Sequence, residues 1–136
     1  MTNEVLLEDQ NLRIELAENG KYLLLLWGVS TPADYFQDRF SKIIDICKER
    51  NIAGLYIDTV KNKGISPASQ EFAARKVEEY AKTRDSFRQA MLVPPDIFSK
   101  FSVDNYSKKV SEYTSNVDTK FFEDDRAALD WIGEAN

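Results

Sequence analysis

The sequence predicts an α/β domain built on a sheet with a parallel core and wrapped by helices. Two observations carry that prediction. From Tyr22 to the tail Phe121-Phe122-Glu123-Asp124-Asp125-Arg126-Ala127-Ala128-Leu129-Asp130-Trp131-Ile132, short apolar runs alternate with longer segments of helical period. That alternation is the signature of strand–helix–strand units. Two of the helical segments also open on the same capping formula, Thr31-Pro32-Ala33-Asp34 and Ser66-Pro67-Ala68-Ser69. The chain of 136 residues suits a single domain spanning 1–136, large enough to bury a core with no disulfide or metal staple.

Leu12-Arg13-Ile14-Glu15-Leu16 alternates apolar with polar, as does a strand with one wet face near a sheet edge. Asn19-Gly20 follows, a strong hairpin signal, because both residues tolerate positive φ. Tyr22–Trp27 is apolar throughout, so it should be covered on both faces and pair antiparallel with the strand before it. In the first helix Thr31 can cap, Pro32 suits the first helical position, and Asp34 suits the first turn. Phe36, Phe40, Ile43, Ile44 and Cys47 then form one apolar stripe.

Leu55-Tyr56-Ile57 is the next strand, ending at Asp58. After the loop 59–65, Ser66 caps a second helix running to about Lys82, with Phe72, Ala73, Val77 and Tyr80 inward. Ala90-Met91-Leu92-Val93 is a short buried strand stopped by Pro94-Pro95. Residues 96–115 read helical, with a break in period at Ser102-Val103-Asp104. Lys120-Phe121-Phe122 is the last strand. Asp124 or Asp125 opens the last helix, where acidic residues suit the positive end of the dipole.

Composition narrows the function classes. Acidic residues number 23 against 18 basic ones, a net charge of −5, which argues against nucleic acid as a partner, since phosphate binding needs a basic face. The chain has no histidine and one cysteine, Cys47. The commonest general base and zinc ligand is therefore missing, and a structural zinc site is excluded. No metal, cofactor or catalytic residue is expected. Cys47 cannot form an internal bridge, which suits a reducing compartment, and its place on the apolar stripe makes it an inert core thiol. No apolar run approaches the ~20 residues of a membrane span. Met1-Thr2-Asn3-Glu4 lacks the basic flank of a signal peptide. A cytoplasmic location is expected.

The resulting order is ββαβαβαβα, with a mixed five-stranded sheet. It resembles the STAS-like fold, and more closely the SpoIIAA-like (STAS/SEC14-like) family of small stand-alone bacterial domains. Three places carry the resemblance: the strand ending at Asp58 before a loop and a capped helix, the strand and helix around 87–101, and the tail quoted above. These are packing motifs covering nearly the whole chain. The resemblance implies a domain without established enzymatic activity. Anti-sigma-factor antagonists of this fold carry an Asp-Ser pair at the start of the second long helix, and that Ser is phosphorylated. Here the stretch reads Gly64-Ile65-Ser66-Pro67, a serine with no aspartate before it.

The candidate site follows from the strand–loop–helix at 58–69. Asp58, Thr59, Lys61, Lys63, Gly64, Ser66 and Ser69 are its candidate residues. A helix N-terminus receives anions through its N–H groups and dipole, and two lysines raise the local potential. The bland alternative is that Ser66 merely caps the helix, Asp58 accepts from loop amides, and the lysines are solvated; capping is so general that it is favoured. A second candidate is an apolar pocket near Phe98, Phe101 and Tyr106, residues that serve equally well as core at helical spacing. The expected function is a non-catalytic binding or regulatory module that recognises a protein partner through 58–69. The alternative is a carrier of a small apolar or amphipathic, lipid-like ligand between helices and sheet. The oligomeric state is left open, a homodimer included.

Overall fold

The computed structural model describes residues 3–94, 108 and 116–135. Among these residues lie six strands and three helices: β1 Glu4–Glu8, β2 Leu12–Leu16, β3 Tyr22–Trp27, α1 Ala33–Arg50, β4 Gly54–Asp58, α2 Pro67–Ala81, β5 Phe87–Leu92, β6 Val117–Phe122 and α3 Asp125–Ile132. Of the helix expected over 96–115, only Lys108 is among the described residues, and it is helical and exposed.

The strands form one sheet in the order β1-β2-β3-β4-β5-β6. The first three make an antiparallel meander, and β3 to β6 run parallel. The sheet thus has one strand more than expected, and β1 takes the edge position assigned to β2. The reason β1 hides is physical. Its pairing with β2 slips between Val5 and Leu7, and such a bulge breaks the two-residue alternation that marks a strand. β4, β5 and β6 each begin earlier than their most apolar residues suggest.

β3, β4 and β5 follow sequence order, so right-handed crossovers put their connecting helices, α1 and α2, on the same face. α1 and α2 accordingly pack against each other on one face. The main core lies there, with Leu23, Leu25 and Trp27 of β3 meeting Phe36, Phe40, Ile43 and Ile44 of α1. Trp27 and Phe36 stand 5.0 Å apart and Phe36 and Phe40 5.6 Å, ring centre to ring centre. Cys47 is buried in this cluster, and burial pushes its thiol up to about 12, so it is no nucleophile at neutral pH. Phe72 is only half-buried, at the rim of α2.

The opposite face carries a smaller core. There Ala128 and Ile132 of α3 meet Leu24, Tyr56, Ala90 and Leu92. Asp124 caps α3 by accepting from the Ala127 N–H at 3.1 Å. Trp131 is half-buried, with the Arg88 guanidinium 4.8 Å above its ring and Phe122 at 5.8 Å.

Candidate functional site

The site lies at the carboxyl ends of β3 and β4. In cross-strand register, Arg13 faces Leu26 and Leu26 faces Asp58. An open cleft of 490 Å³ sits over this row, rimmed by Asn11, Gly28, Val29, Val60 and Lys61. It is built from three connections: the β1–β2 turn, the β3–α1 loop and the β4–α2 loop.

The β4–α2 loop has an internal framework. Asp58 Oδ1 accepts from the Val60 N–H at 2.9 Å, the role expected for a strand-ending aspartate. Thr59 is buried, and both its N–H and its hydroxyl donate to the Leu92 carbonyl, at 3.1 and 2.9 Å. Asn62 is buried at 4% exposure and holds everything else. Its Nδ2 donates to the Gly28 carbonyl at 2.9 Å and to Thr31 Oγ1 at 3.2 Å, while its Oδ1 accepts from the Gly64 N–H at 2.8 Å. Gly64 sits at φ 128°, a region other residues avoid.

Ser66 is exposed and caps α2, its hydroxyl accepting from the Ser69 N–H at 3.2 Å. The amides an incoming anion would seek are largely spoken for. Lys63 N–H donates to the Val29 carbonyl at 3.3 Å, Gly64 N–H to Asn62, and Ser69 N–H to Ser66. The side chains of Lys61 and Lys63 stand in solvent.

Two of the candidates are not surface residues. Ser69 is fully buried, because it falls on the same helical face as Ala73, Val77 and Tyr80. Thr59 is turned inward by its two bonds to Leu92. Of the candidates, Asp58, Lys61, Lys63, Gly64 and Ser66 keep side chain or backbone toward the surface. Phe98, Phe101 and Tyr106, the apolar-ligand candidates, lie outside the described residues.

Sequence reasoning missed the residues that tie the three connections together. Gly28 N–H donates to the Asn11 carbonyl at 2.7 Å, and Asn11 Oδ1 accepts from the Ser30 N–H at 3.2 Å. A Cβ on Gly28 would lie 2.8 Å from Asn11 Cα, so this close approach requires glycine. Asp9 anchors the β1–β2 turn to α1. It accepts from Asn11 N–H at 2.9 Å, from the Tyr35 hydroxyl at 2.5 Å and from Arg39 Nε at 2.8 Å. Partial burial pushes the Asp9 carboxyl up, but the Tyr35 and Arg39 hydrogen bonds outweigh it and hold the group down at about 2. Burial and the bond to Asp9 push the Tyr35 hydroxyl up. Signals existed: Asn-X-Gly at 62–64 and Asp-X-Asn at 9–11 are patterns for side chains that bond nearby backbone.

Among the described residues, no group of three or more Cys, Asp or Glu side chains is placed to hold a metal ion. No described helix is long and apolar enough to cross a membrane.

No protein-family model and no curated protein matches this chain. Among solved structures, it is similar to an uncharacterised protein of the DUF3478 family from Shewanella loihica PV-4, described as having a SpoIIAA-like fold. The likeness covers 97% of this chain and 96% of that one, with a TM-score of 0.54 and 19% identity. The fold is SpoIIAA-like. At that identity the comparison speaks for the fold alone. In the SpoIIAA-like frame, the second long helix begins at Pro67, and its preceding serine is committed to the cap.

Proposed function

We propose that this domain is a non-catalytic binding module that recognises a protein partner through the β4–α2 loop. The observation behind the reading is a rigid inner framework combined with apolar side chains turned out. Asn62 and Thr59 are buried beneath the loop. Val60 and its neighbour Val29 are 45% and 49% exposed, and the Lys63–Val29 backbone bond holds the two loops side by side. Loops fixed on a rigid scaffold are where recognition concentrates, and an aliphatic pair ringed by charged residues suits the centre of a small protein contact. Lys61, Lys63 and Asp58 supply that charged ring. Ser66 is the regulatory position in this reading. A phosphate there retains an oxygen for the Ser69 N–H and adds about −1.5 to −2 of charge beside the contact.

The test is affinity capture from the native host, with wild type, Val60→Asp and Ser66→Asp as bait. Thermal melts first establish that each variant is folded. The reading expects a protein held by wild type and lost with Val60→Asp, with weaker retention by Ser66→Asp. A capture that is indifferent to Val60 would refute the binding surface. One sensitive to Val60 and indifferent to Ser66 would remove only the regulatory step.

A further inference from the structure

Asn19 is the chain's only asparagine followed by glycine. It is exposed at the tip of the β2–β3 hairpin, beside an open hollow of 430 Å³ that Glu18 and Tyr22 also line. We propose that Asn19 is a site of spontaneous deamidation, and that the folded hairpin holds the reaction in check.

The chemistry needs only water. The backbone nitrogen of Gly20, having given its proton to hydroxide, attacks Cγ of Asn19. A new N–Cγ bond closes a five-membered imide, the Cγ–NH2 bond breaks, and the amino group takes up a proton and leaves as ammonia. Water then adds to either ring carbonyl, and ring opening gives aspartate or isoaspartate. No electrons are exchanged with any other reagent. Glycine matters because no side chain shields the attacking nitrogen. The other asparagines among the described residues precede Glu4, Leu12, Ile52, Lys63 and Val117.

Two hydrogen bonds oppose the attack. Gly20 N–H donates to the Ala17 carbonyl at 2.9 Å, which keeps the proton on the would-be nucleophile. Asn19 Oδ1 accepts from the Lys21 N–H at 2.9 Å, which turns the side-chain carbonyl toward Lys21. The ring closes only after the turn opens, and exposed turns open more readily than the core. The two products differ in consequence. Aspartate keeps an oxygen for Lys21 N–H and adds one negative charge. Isoaspartate inserts a methylene into the backbone inside the loop closed by the 3.0 Å bond from Ala17 N–H to the Tyr22 carbonyl. That loop sets Leu16 opposite Leu23.

The experiment incubates the full chain at mildly alkaline pH, native and in unfolding concentrations of guanidinium. Peptide mass spectrometry and isoaspartyl methyltransferase labelling locate the product. Conversion at Asn19 should lead all other asparagines in the unfolded chain. It should run roughly thirtyfold slower in the native chain, the equilibrium penalty of opening two ordinary hydrogen bonds. No preferential conversion at Asn19 in the unfolded chain overturns the site, and equal rates in the two conditions overturn the restraint. Asn19→Gln should abolish the product at this position, and product persisting there would overturn the assignment. Asn19→Asp should melt with wild type while the isoaspartate fraction melts lower. Coincident melting of all three would overturn the difference drawn between the products.

Discussion

The helix starts at Thr31-Pro32 and Ser66-Pro67 read alike in sequence and behave differently in the fold. At the second, Ser66 caps α2 by accepting from Ser69, and Pro67 is the first helical residue. At the first, the cap position falls on Pro32, no side chain caps α1, and the helix begins at Ala33. The Thr31 hydroxyl instead accepts from Asn62, a residue in another loop. The opening of α1 is held from outside, by Asn62 through Thr31 and by Asp9 through Tyr35 and Arg39. The formula is the same, yet Thr31 lies one residue before the cap and its hydroxyl serves the buried amide of Asn62 instead. One helix start is self-contained, and the other belongs to a network spanning three connections.

Breaking the network at its centre should have the largest effect. Asn62→Ala removes the partner of the Gly28 carbonyl and of the Gly64 N–H, both half-buried, and losing such a partner costs about 1–1.5 kcal/mol each. A loss of about 2–3 kcal/mol in denaturant unfolding is expected, and a loss under about 1 kcal/mol would show that the loops do not depend on it.

Acid should attack the α1 anchor next. The Asp9 carboxyl sits at about 2 in the fold against 3.8 ordinarily, so its contribution is fully present above the ordinary value. It fades as pH falls through 3.8 toward 2, because the unfolded chain takes up the proton first. Allowing for solvent screening, about 1 kcal/mol of wild-type stability should be lost between pH 5 and 2 that Asp9→Asn does not lose. Parallel pH curves for the two proteins would remove Asp9 as an anchor.

Ser66→Ala should cost about 1 kcal/mol, the usual value of a lost cap. Thr31→Ala should cost about 0.5 kcal/mol, since Asn62 retains its bond to Gly28. The sharper measurement is the double-mutant cycle. Thr31 and Asn62 share a bond and should couple, whereas Ser66 and Thr31 share none and should add within about 0.5 kcal/mol. Coupling of Ser66 with Thr31 instead would mean that the two helix starts are one unit.

The same contrast explains what the sequence revealed. The α1 stripe Phe36, Phe40, Ile43, Ile44 and Cys47 is legible because apolar burial depends on period alone, and all five are buried as read. The β2–β3 hairpin and the Ser66 cap are legible because they are local. β1 is illegible because its bulge breaks alternation, and the inward turns of Thr59 and Ser69 need the neighbouring strand and the helix phase. Of the candidate site, the position of the loop was readable and its framework was not. Asn62 resembles any polar loop residue until Gly28 and Thr31 are brought beside it by the sheet.

The order of the strands has a consequence for how the molecule comes into being. Each strand pairs with the strand that precedes it in the chain, so no strand must wait for a later segment to arrive between itself and its partner. A chain emerging from its N-terminus can close the β1–β2–β3 meander first and then add β4, β5 and β6 one at a time along a single growing edge. The meander closes through short turns, whereas each parallel addition joins residues about thirty apart, so the loop-closure cost falls mainly on the later, slower steps. The growing edge during synthesis is the latest strand, covered when the next crossover delivers its neighbour, while β1 and finally β6 remain the two edges of the sheet.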